Sequence, residues 1–502
     1  MGRYHLARLA DAAFERHGDY ESLFFEGRWY RSGDLQERVR RLSRGLVELG
    51  IAPGDRVVVV MANCPEVPIA YHALWRAGAV ITPAVFLLPP EEIRLILQDA
   101  EARAVITTPE FLPAVRSAAS GVESVKWIVS AGPEEDGVLS LSSLEEAPPG
   151  GIVDREDGDL AALMYTGGTT GRAKGVMLSH EALWRVGEAA QRAAHIDGVT
   201  RTLAALPLSH GYGLVVSVAA LHVPERGQAV LMRWFEPQAW LELAAEHRMQ
   251  RAVVVPTMLQ LLLGLPLEDH DLSSLRVITC GASPLPPEVA REFERRVPGA
   301  EVLEGYGLTE SGAIMTVNPP GRRKLGSVGL PLPGYEVAVF GDDDRPVAPE
   351  EVGEVASRGP GMMAGYWRSP GETERALRGG WLRTGDLGRL DQDGYLWIVD
   401  RKKDLIIRSG VNVFPRDVED ALVEHPGVQA AGVVGRPDPV RGEEVVAFVS
   451  LHSGQNVTRE ELVEWSKRRL SREAYPRDVR IVGAVPLTPI GKVDRKALRA
   501  LL

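Results

Sequence analysis

PGDRVVVVMANCPEVPIAYHALWRAGAVI, residues 53–81, reads as a turn, a strand, a helix and the start of a second strand. Pro53-Gly54-Asp55 is a turn cluster, Val57-Val58-Val59-Val60 is a β-branched run, and the helical pattern from Pro65 ends at Gly78. Upstream, Leu35, Val39, Leu42, Leu46 and Leu49 recur at helical spacing behind Ser32, a predicted N-cap, and Gly50 stops that helix. Downstream the alternation continues through Ala79-Val80-Ile81, a helix from Pro89 to Ala100, and strands at Ala104-Val105-Ile106 and Trp127-Ile128-Val129. Strands spaced by helices imply βαβ units, so the fold class is α/β with mainly parallel sheets.

The chain has 502 residues, which calls for two or more domains. Its 45% hydrophobic and 25% charged residues are those of an ordinary globular protein. A net charge of -11 without a basic run gives nucleic acid no electrostatic footprint. Cys64 and Cys280 are too few and too far apart for a disulfide framework or a CxxC metal site, which fits a reducing cytosol. The first twenty residues carry charges throughout and form no signal peptide. The most apolar window, Gly213 to Val223, is interrupted by Ser217 and His222 and is too short to span a membrane. A cytoplasmic location is predicted.

After Asp391 the texture changes. DQDGYLWIVDR reads as a turn and a strand, and Arg401-Lys402-Lys403-Asp404 is a charged break. This predicts a large domain over 1–401 and a small α+β domain over 402–502, with a hinge near Lys403. The small domain has strands at Ala431 to Val434 and Val445 to Val449 and helices at Pro415 to His425 and Arg459 to Leu470. Gly132 to Gly151 reads as a surface loop.

Residues 166–175, TGGTTGRAKG, follow an apolar strand and precede a helix from Ser179. By itself a Gly/Thr cluster is a flexible turn. Here Thr166, Gly167, Gly168, Thr169, Thr170 and Gly171 supply hydroxyls and open backbone N–H groups suited to phosphate oxygens, and Lys174 adds a point charge. Walker A is excluded, because Lys174 stands between Ala173 and Gly175. Only eight of the 57 Lys and Arg residues are lysine, so Lys174 and Lys492 are minority choices where a compact ammonium suits phosphate.

The loop resembles the signature of the adenylate-forming superfamily of acyl-CoA synthetases, luciferases and peptide-synthetase adenylation domains; Ala before the lysine is most similar to fatty-acyl-CoA synthetases. The other motifs stand in family order: PLSHGYG at 207–213, CGASPLPPEV at 280–289, EGYGLTE at 304–310, TGD at 384–386, DRKKDLIIRSGVNVFP at 400–415 and PLTPIGKVDRKAL at 486–498. The resemblance implies a large domain of stacked αβ subdomains with a distorted β-barrel, and a mobile small domain. It implies that a carboxylate attacks the α-phosphate of ATP, giving acyl-AMP and pyrophosphate, and that the thiol of coenzyme A then displaces AMP. Positioning and electrostatics carry such chemistry without a protein nucleophile.

By the same resemblance, Thr166 to Lys174 hold the β- and γ-phosphates, Glu310 binds Mg²⁺ and Thr309 meets the α-phosphate. Tyr306 faces adenine beside Glu304, Gly305 and Gly307, while Gly281, Ala282 and Ser283 line adenine and the acyl pocket. Asp386 and Arg401 take the ribose hydroxyls. His210 lies near the substrate carboxylate, and the acyl pocket is expected from His210, Tyr212, Val255, Gly281 and Gly305. Lys492, with Thr170, Glu310 and His210, is the catalytic expectation. Arg408, Ser409 and Gly410 are expected along the coenzyme A tunnel, brought in by rotation about Lys403.

The small, apolar pocket candidates favour a fatty, medium-chain or aryl acid. Three alternatives stay open: transfer to an amine, transfer to a carrier-protein pantetheine thiol, and a catalytically silent nucleotide sensor. A luciferase-like oxygenase is disfavoured. The resemblance allows a homodimer.

Overall fold

The computed structural model describes residues 2–166, 173–487 and 493–502. The valine run becomes the strand Arg56–Val60 inside an eight-stranded sheet, flanked in parallel by Val80–Ala84 and Ala104–Thr107. Its side chains alternate between two cores, as strand periodicity demands. Val57 and Val59 meet the helices Ser32–Glu48 and Glu66–Arg76, while Val58 and Val60 meet Pro90–Asp99 and Leu112–Ala119. Burial on both faces explains a run with no polar alternation.

A nine-stranded sheet follows the same logic. Arg201–Ala204, Gln228–Leu231, Arg251–Val254, Val277–Cys280 and Glu301–Tyr306 are parallel neighbours in it. Its two faces pack differently. Ala252, Val254 and Ile278 face the core that holds Trp240, Leu259 and Phe293, whereas Val253 and Val255 face Val186, Ala189, Tyr212 and Val215.

The helices His180–Ala193 and Gly211–Ala220 lie between the two large sheets. Leu183, Leu214 and Val218 join the first core, and Val186, Ala189 and Val215 join that of the second sheet. The apolar window is therefore a helix buried on several sides. Among the described residues no helix is long and apolar enough to cross a membrane.

A five-stranded antiparallel sheet stands where the barrel is expected: Glu336–Phe340, Gly353–Arg358, Trp381–Leu390, Leu377–Arg378 and Leu396–Arg401. Lys402 N–H still donates to Gly385 O at 2.9 Å, whereas Asp404 pairs with Arg499 at 2.9 Å near the chain's end. The small domain's own sheet orders Val411–Val413, Ile406–Arg408, Gly442–Leu451 and Val428–Asp438, with Asp478–Ile481 parallel to Gly442–Leu451. Asp400 joins the two parts, accepting from Arg401 N–H at 2.6 Å and Arg416 N–H at 2.9 Å. Arg416 also reaches Ile398 O at 3.0 Å.

Two local expectations are corrected. Ser32 is the first residue of its helix and does not cap it; its hydroxyl donates to Gly18 O at 2.9 Å and accepts from Tyr20 N–H at 3.1 Å, tying the helix to the preceding turn. The segment read as a surface loop contains the strand Leu139–Ser140 and the helix Leu141–Leu144, because Leu141 is buried against the first core.

Candidate active site

The strands Leu160–Thr166 and Lys174–Ser179 pair antiparallel with Thr166 opposite Lys174, so they form the stem of the Gly/Thr loop. Gly167, Gly168, Thr169, Thr170 and Gly171 lie outside the described residues, as does Lys492. Lys174 Nζ is 2.6 Å from Glu372 Oε2 and sits 5.2 Å above the centroid of the Tyr366 ring. The Tyr366 hydroxyl donates to Glu310 Oε1 at 2.8 Å. Burial first, then the Glu310 charge, pushes the Tyr366 phenol up, so it stays a neutral donor. The Lys174 ammonium holds the Glu372 carboxyl below its ordinary range.

Tyr366 and Glu372 are functional candidates that the sequence reading missed. Glu372 is 198 residues from Lys174, a separation no local pattern records. Tyr366 arrives through the short strand Gly365–Tyr366, which adds to the edge of Lys174–Ser179.

Glu310 occupies the single turn Thr309–Ser311 after the strand Glu301–Tyr306. Close approach fixes Gly307 there: a Cβ on it would lie 2.4 Å from Ile314 Cα. The same turn abuts the His210 loop, since a Cβ on Gly211 would lie 3.4 Å from Thr309 Oγ1. His210 Nδ1 accepts from Tyr212 N–H at 3.3 Å and caps the helix Gly211–Ala220. An accepting Nδ1 leaves the proton of a neutral ring on Nε2.

At the other end, the Tyr306 hydroxyl donates to Asp386 Oδ2 at 2.5 Å, and Arg401 Nε lies 3.2 Å from Asp386 Oδ1. Burial, reinforced by Asp386, holds the Tyr306 phenol far above its ordinary range. Arg401 faces Asp386 because the two are directly opposed in the pairing of Trp381–Leu390 with Leu396–Arg401. Each carboxylate oxygen has room for a further donor beyond these.

Gly281, Gly305 and Tyr212 come together: a Cβ on Gly281 would lie 3.1 Å from Gly305 O and 3.6 Å from Tyr212 Cε1. Tyr212 is buried, and its hydroxyl donates to Thr279 O at 3.4 Å. Val255 lies on the same face of the sheet. Ala282 takes a left-handed φ of 72° and turns the chain toward partly buried Ser283.

Glu304 departs from its expected role beside the nucleotide. Strand alternation puts its carboxyl on the opposite face, where it accepts from Leu285 N–H at 3.2 Å. Burial pushes it up to about 7, with Arg416 of the small domain pulling the other way.

Arg408 also departs from expectation. It is 2% exposed, donates to Glu444 Oε2 at 3.1 Å and to Glu473 O at 2.8 Å, and so braces the small domain instead of lining a tunnel. Ser409 and Gly410 are exposed, with φ of 54° and 78°, and form the two-residue turn between Ile406–Arg408 and Val411–Val413. A Cβ on Gly410 would meet open space. Lys403 is exposed.

The profile of the AMP-binding enzyme family matches residues 10–367, and that of the AMP-binding enzyme C-terminal domain matches 417–492. The chain belongs to the AMP-binding enzyme family. Within this family it is 34% identical to a long-chain-fatty-acid–CoA ligase of Bacillus subtilis (strain 168), over 98% of this chain and 93% of that protein. The solved structure of the anthranilate CoA ligase AuaEII in complex with anthranoyl-AMP superposes with a TM-score of 0.92 at 26% identity, covering 99% of this chain and 97% of that one. The amide bond synthetase McbA from Marinactinospora thermotolerans superposes at 0.89 with 32% identity, covering 99% of this chain and 100% of that one. As a member of the AMP-binding enzyme family, the chain is an AMP-forming acid–CoA ligase.

Proposed function

We propose that the site activates a carboxylic acid with an apolar, fatty or aryl, body and passes the acyl group to the thiol of coenzyme A. The observation that carries this reading is the convergence of Lys174, Glu310, Tyr366 and Glu372, from distant stretches of chain, into one network beside the Thr309 turn. Such a network suits a polyphosphate. An incoming phosphate competes with Glu372 for Lys174, and Thr309 is assigned as a donor to the α-phosphate.

In the first step a carboxylate oxygen of the substrate bonds to the α-phosphorus and the bond to pyrophosphate breaks. His210, whose Nδ1 caps the helix Gly211–Ala220, is assigned to the carboxylate end of the substrate. In the second step the sulfur of coenzyme A bonds to the acyl carbon, AMP leaves, and the thiol proton passes to solvent. Lys492 is assigned to the first step and the Ser409-Gly410 turn to the second, with rotation near Lys403 exchanging them. The proposed division into a large and a small domain is supported by the switch of hydrogen bonding between Lys402, which still pairs with Gly385, and Asp404, which pairs with Arg499, one residue or two past the expected 401/402 boundary.

Mg²⁺ fits this donor set. Glu310 keeps an oxygen other than the one bound by Tyr366, and among the described residues no cluster of three or more His, Cys, Asp or Glu forms a metal cage. One carboxylate shared with phosphate oxygens and water is the usual arrangement for this ion. When bound, the ion neutralises charge on the departing pyrophosphate.

The test is product analysis with ATP, Mg²⁺ and a panel of acids of increasing length. Pyrophosphate and AMP with an acyl thioester support the reading, and ADP with orthophosphate overturns it. Parallel arms with an amine or pantetheine distinguish the acceptor.

A further inference from the structure

The face of the nine-stranded sheet that carries Val255 and Val253 ends at Arg251. Odd-numbered residues of this segment share the side on which Tyr212, Val186 and Ala189 pack, and Val253 is opposite Thr279, whose carbonyl receives the Tyr212 hydroxyl. Arg251 is therefore at the foot of the stripe whose top is the predicted acyl pocket. Position 255 is four residues above it, about 13 Å of strand at ~3.3 Å per residue.

The guanidinium there is incompletely satisfied. Arg251 is partly buried, and Nη2 donates to Ala194 O at 2.6 Å, at the end of the helix His180–Ala193. Its Nε is shielded from solvent without a hydrogen-bond partner, and among the described residues it forms no ion pair with a carboxylate. Burial pulls its pKa down, and the group that offsets this is the Tyr212 phenol. A shielded cation with an unmet donor is costly unless an acceptor arrives.

We propose that Arg251 closes the acyl pocket and receives a second carboxylate at the far end of the acid. The substrate is then an acid with an apolar middle and an anionic tail, of medium length or built on an aryl ring. This rests on the adenylation reading above and narrows it. It adds an anionic tail to the apolar body expected from the motif segments, through a residue that lies outside them, four positions before Val255. A monoacid would leave a methyl group against Nε, whereas a carboxylate matches the guanidinium fork.

The experiment compares nonanedioate with nonanoate in pyrophosphate release and in thermal shift of the full chain, for the wild type, Arg251→Leu and Arg251→Lys. The wild type should favour nonanedioate at least about tenfold in kcat/KM, chiefly through KM, as loss of one charged hydrogen bond implies. Arg251→Leu should reverse that preference, and Arg251→Lys should retain part of it. Equal losses for both acids in Arg251→Leu, together with a lower melting temperature, would reduce Arg251 to a cap for Ala194 and overturn the proposal. So would a wild-type preference for nonanoate. If neither acid releases pyrophosphate but nonanedioate raises the melting temperature of the wild type and not of Arg251→Leu, the anion site stands and the adenylation reading falls. Absence of both signals overturns both.

Discussion

The Tyr306 hydroxyl donates to the same Asp386 carboxylate that Arg401 approaches from the opposing strand. A ribose bound there joins a carboxylate already oriented on both oxygens. Asp386→Ala removes the acceptors and leaves the buried Tyr306 hydroxyl without its partner. The Michaelis constant for ATP should rise more than about tenfold, because charge-assisted hydrogen bonds are worth roughly 1.5–3 kcal/mol each. Tyr306→Phe should give a smaller rise. Steady-state kinetics at saturating acid check both, and unchanged constants in Asp386→Ala would remove Asp386 from the nucleotide site.

Tyr366 is a positioning residue for Glu310, and Tyr366→Phe removes only the hydroxyl. The ring stays under Lys174, so nucleotide affinity should change little. The Mg²⁺ concentration for half-maximal pyrophosphate release should rise roughly five- to tenfold, the equivalent of one hydrogen bond of about 1–1.4 kcal/mol. A purely structural role would lower activity at every Mg²⁺ concentration alike.

Glu304 gives a pH dependence with a definite sign. Its carboxyl is raised by burial to about 7 in the folded chain, against 4.5 when free, so the folded state binds the proton more tightly. That contribution to stability is complete below pH 4.5 and is lost as pH rises to about 7. Glu304→Gln should erase it, making the variant the more stable form above pH 7 by on the order of 3 kcal/mol at most. Urea midpoints of both proteins between pH 5 and 8 test this; parallel curves would show that Glu304 does not titrate there.

The two half-reactions should separate by residue. Lys492→Ala should slow acyl-AMP formation by orders of magnitude while sparing thioester formation from synthetic acyl-AMP, since an ammonium acting only in the first transition state affects that step. Gly410→Leu should show the reverse. Because Gly410 has a φ of 78°, Gly410→Asn, which tolerates that conformation, controls for backbone strain. Equal loss of both half-reactions in Lys492→Ala, with no effect at Gly410, would favour a fixed domain arrangement.

The α/β class and the helix–strand order were legible because valine runs, glycine stops and helical periodicity are local signals. The strand at 57–60 and the helix after Ser179 follow from them directly. Asp386 and Arg401 were legible as a pair through their motifs, and the strand register supplies the geometry. Other contacts had no local signature. Tyr366 and Glu372 meet Glu310 and Lys174 only when an edge strand adds to the sheet. Glu304 and Arg408 stand inside recognisable motifs, yet alternation along a strand turns one carboxyl to the far face, and Glu444 draws the guanidinium inward. A motif identifies a segment; the pleat decides which of its side chains reach the cleft.

The bond from Asp400 to Arg416 bears on the proposed rotation of the small domain. Asp400 belongs to the last strand of the large domain and Arg416 to the first helix of the small one, so any rotation of the small domain must break that bond and the one to Ile398. Two such bonds cost on the order of 2–3 kcal/mol together, and a barrier raised by that amount lengthens the dwell in this arrangement roughly 30- to 160-fold. If the small domain rotates as proposed, the clasp would act as an escapement that holds the chain in one orientation between steps, and loosening it with Asp400→Asn would exchange residence time for faster exchange of the two arrangements.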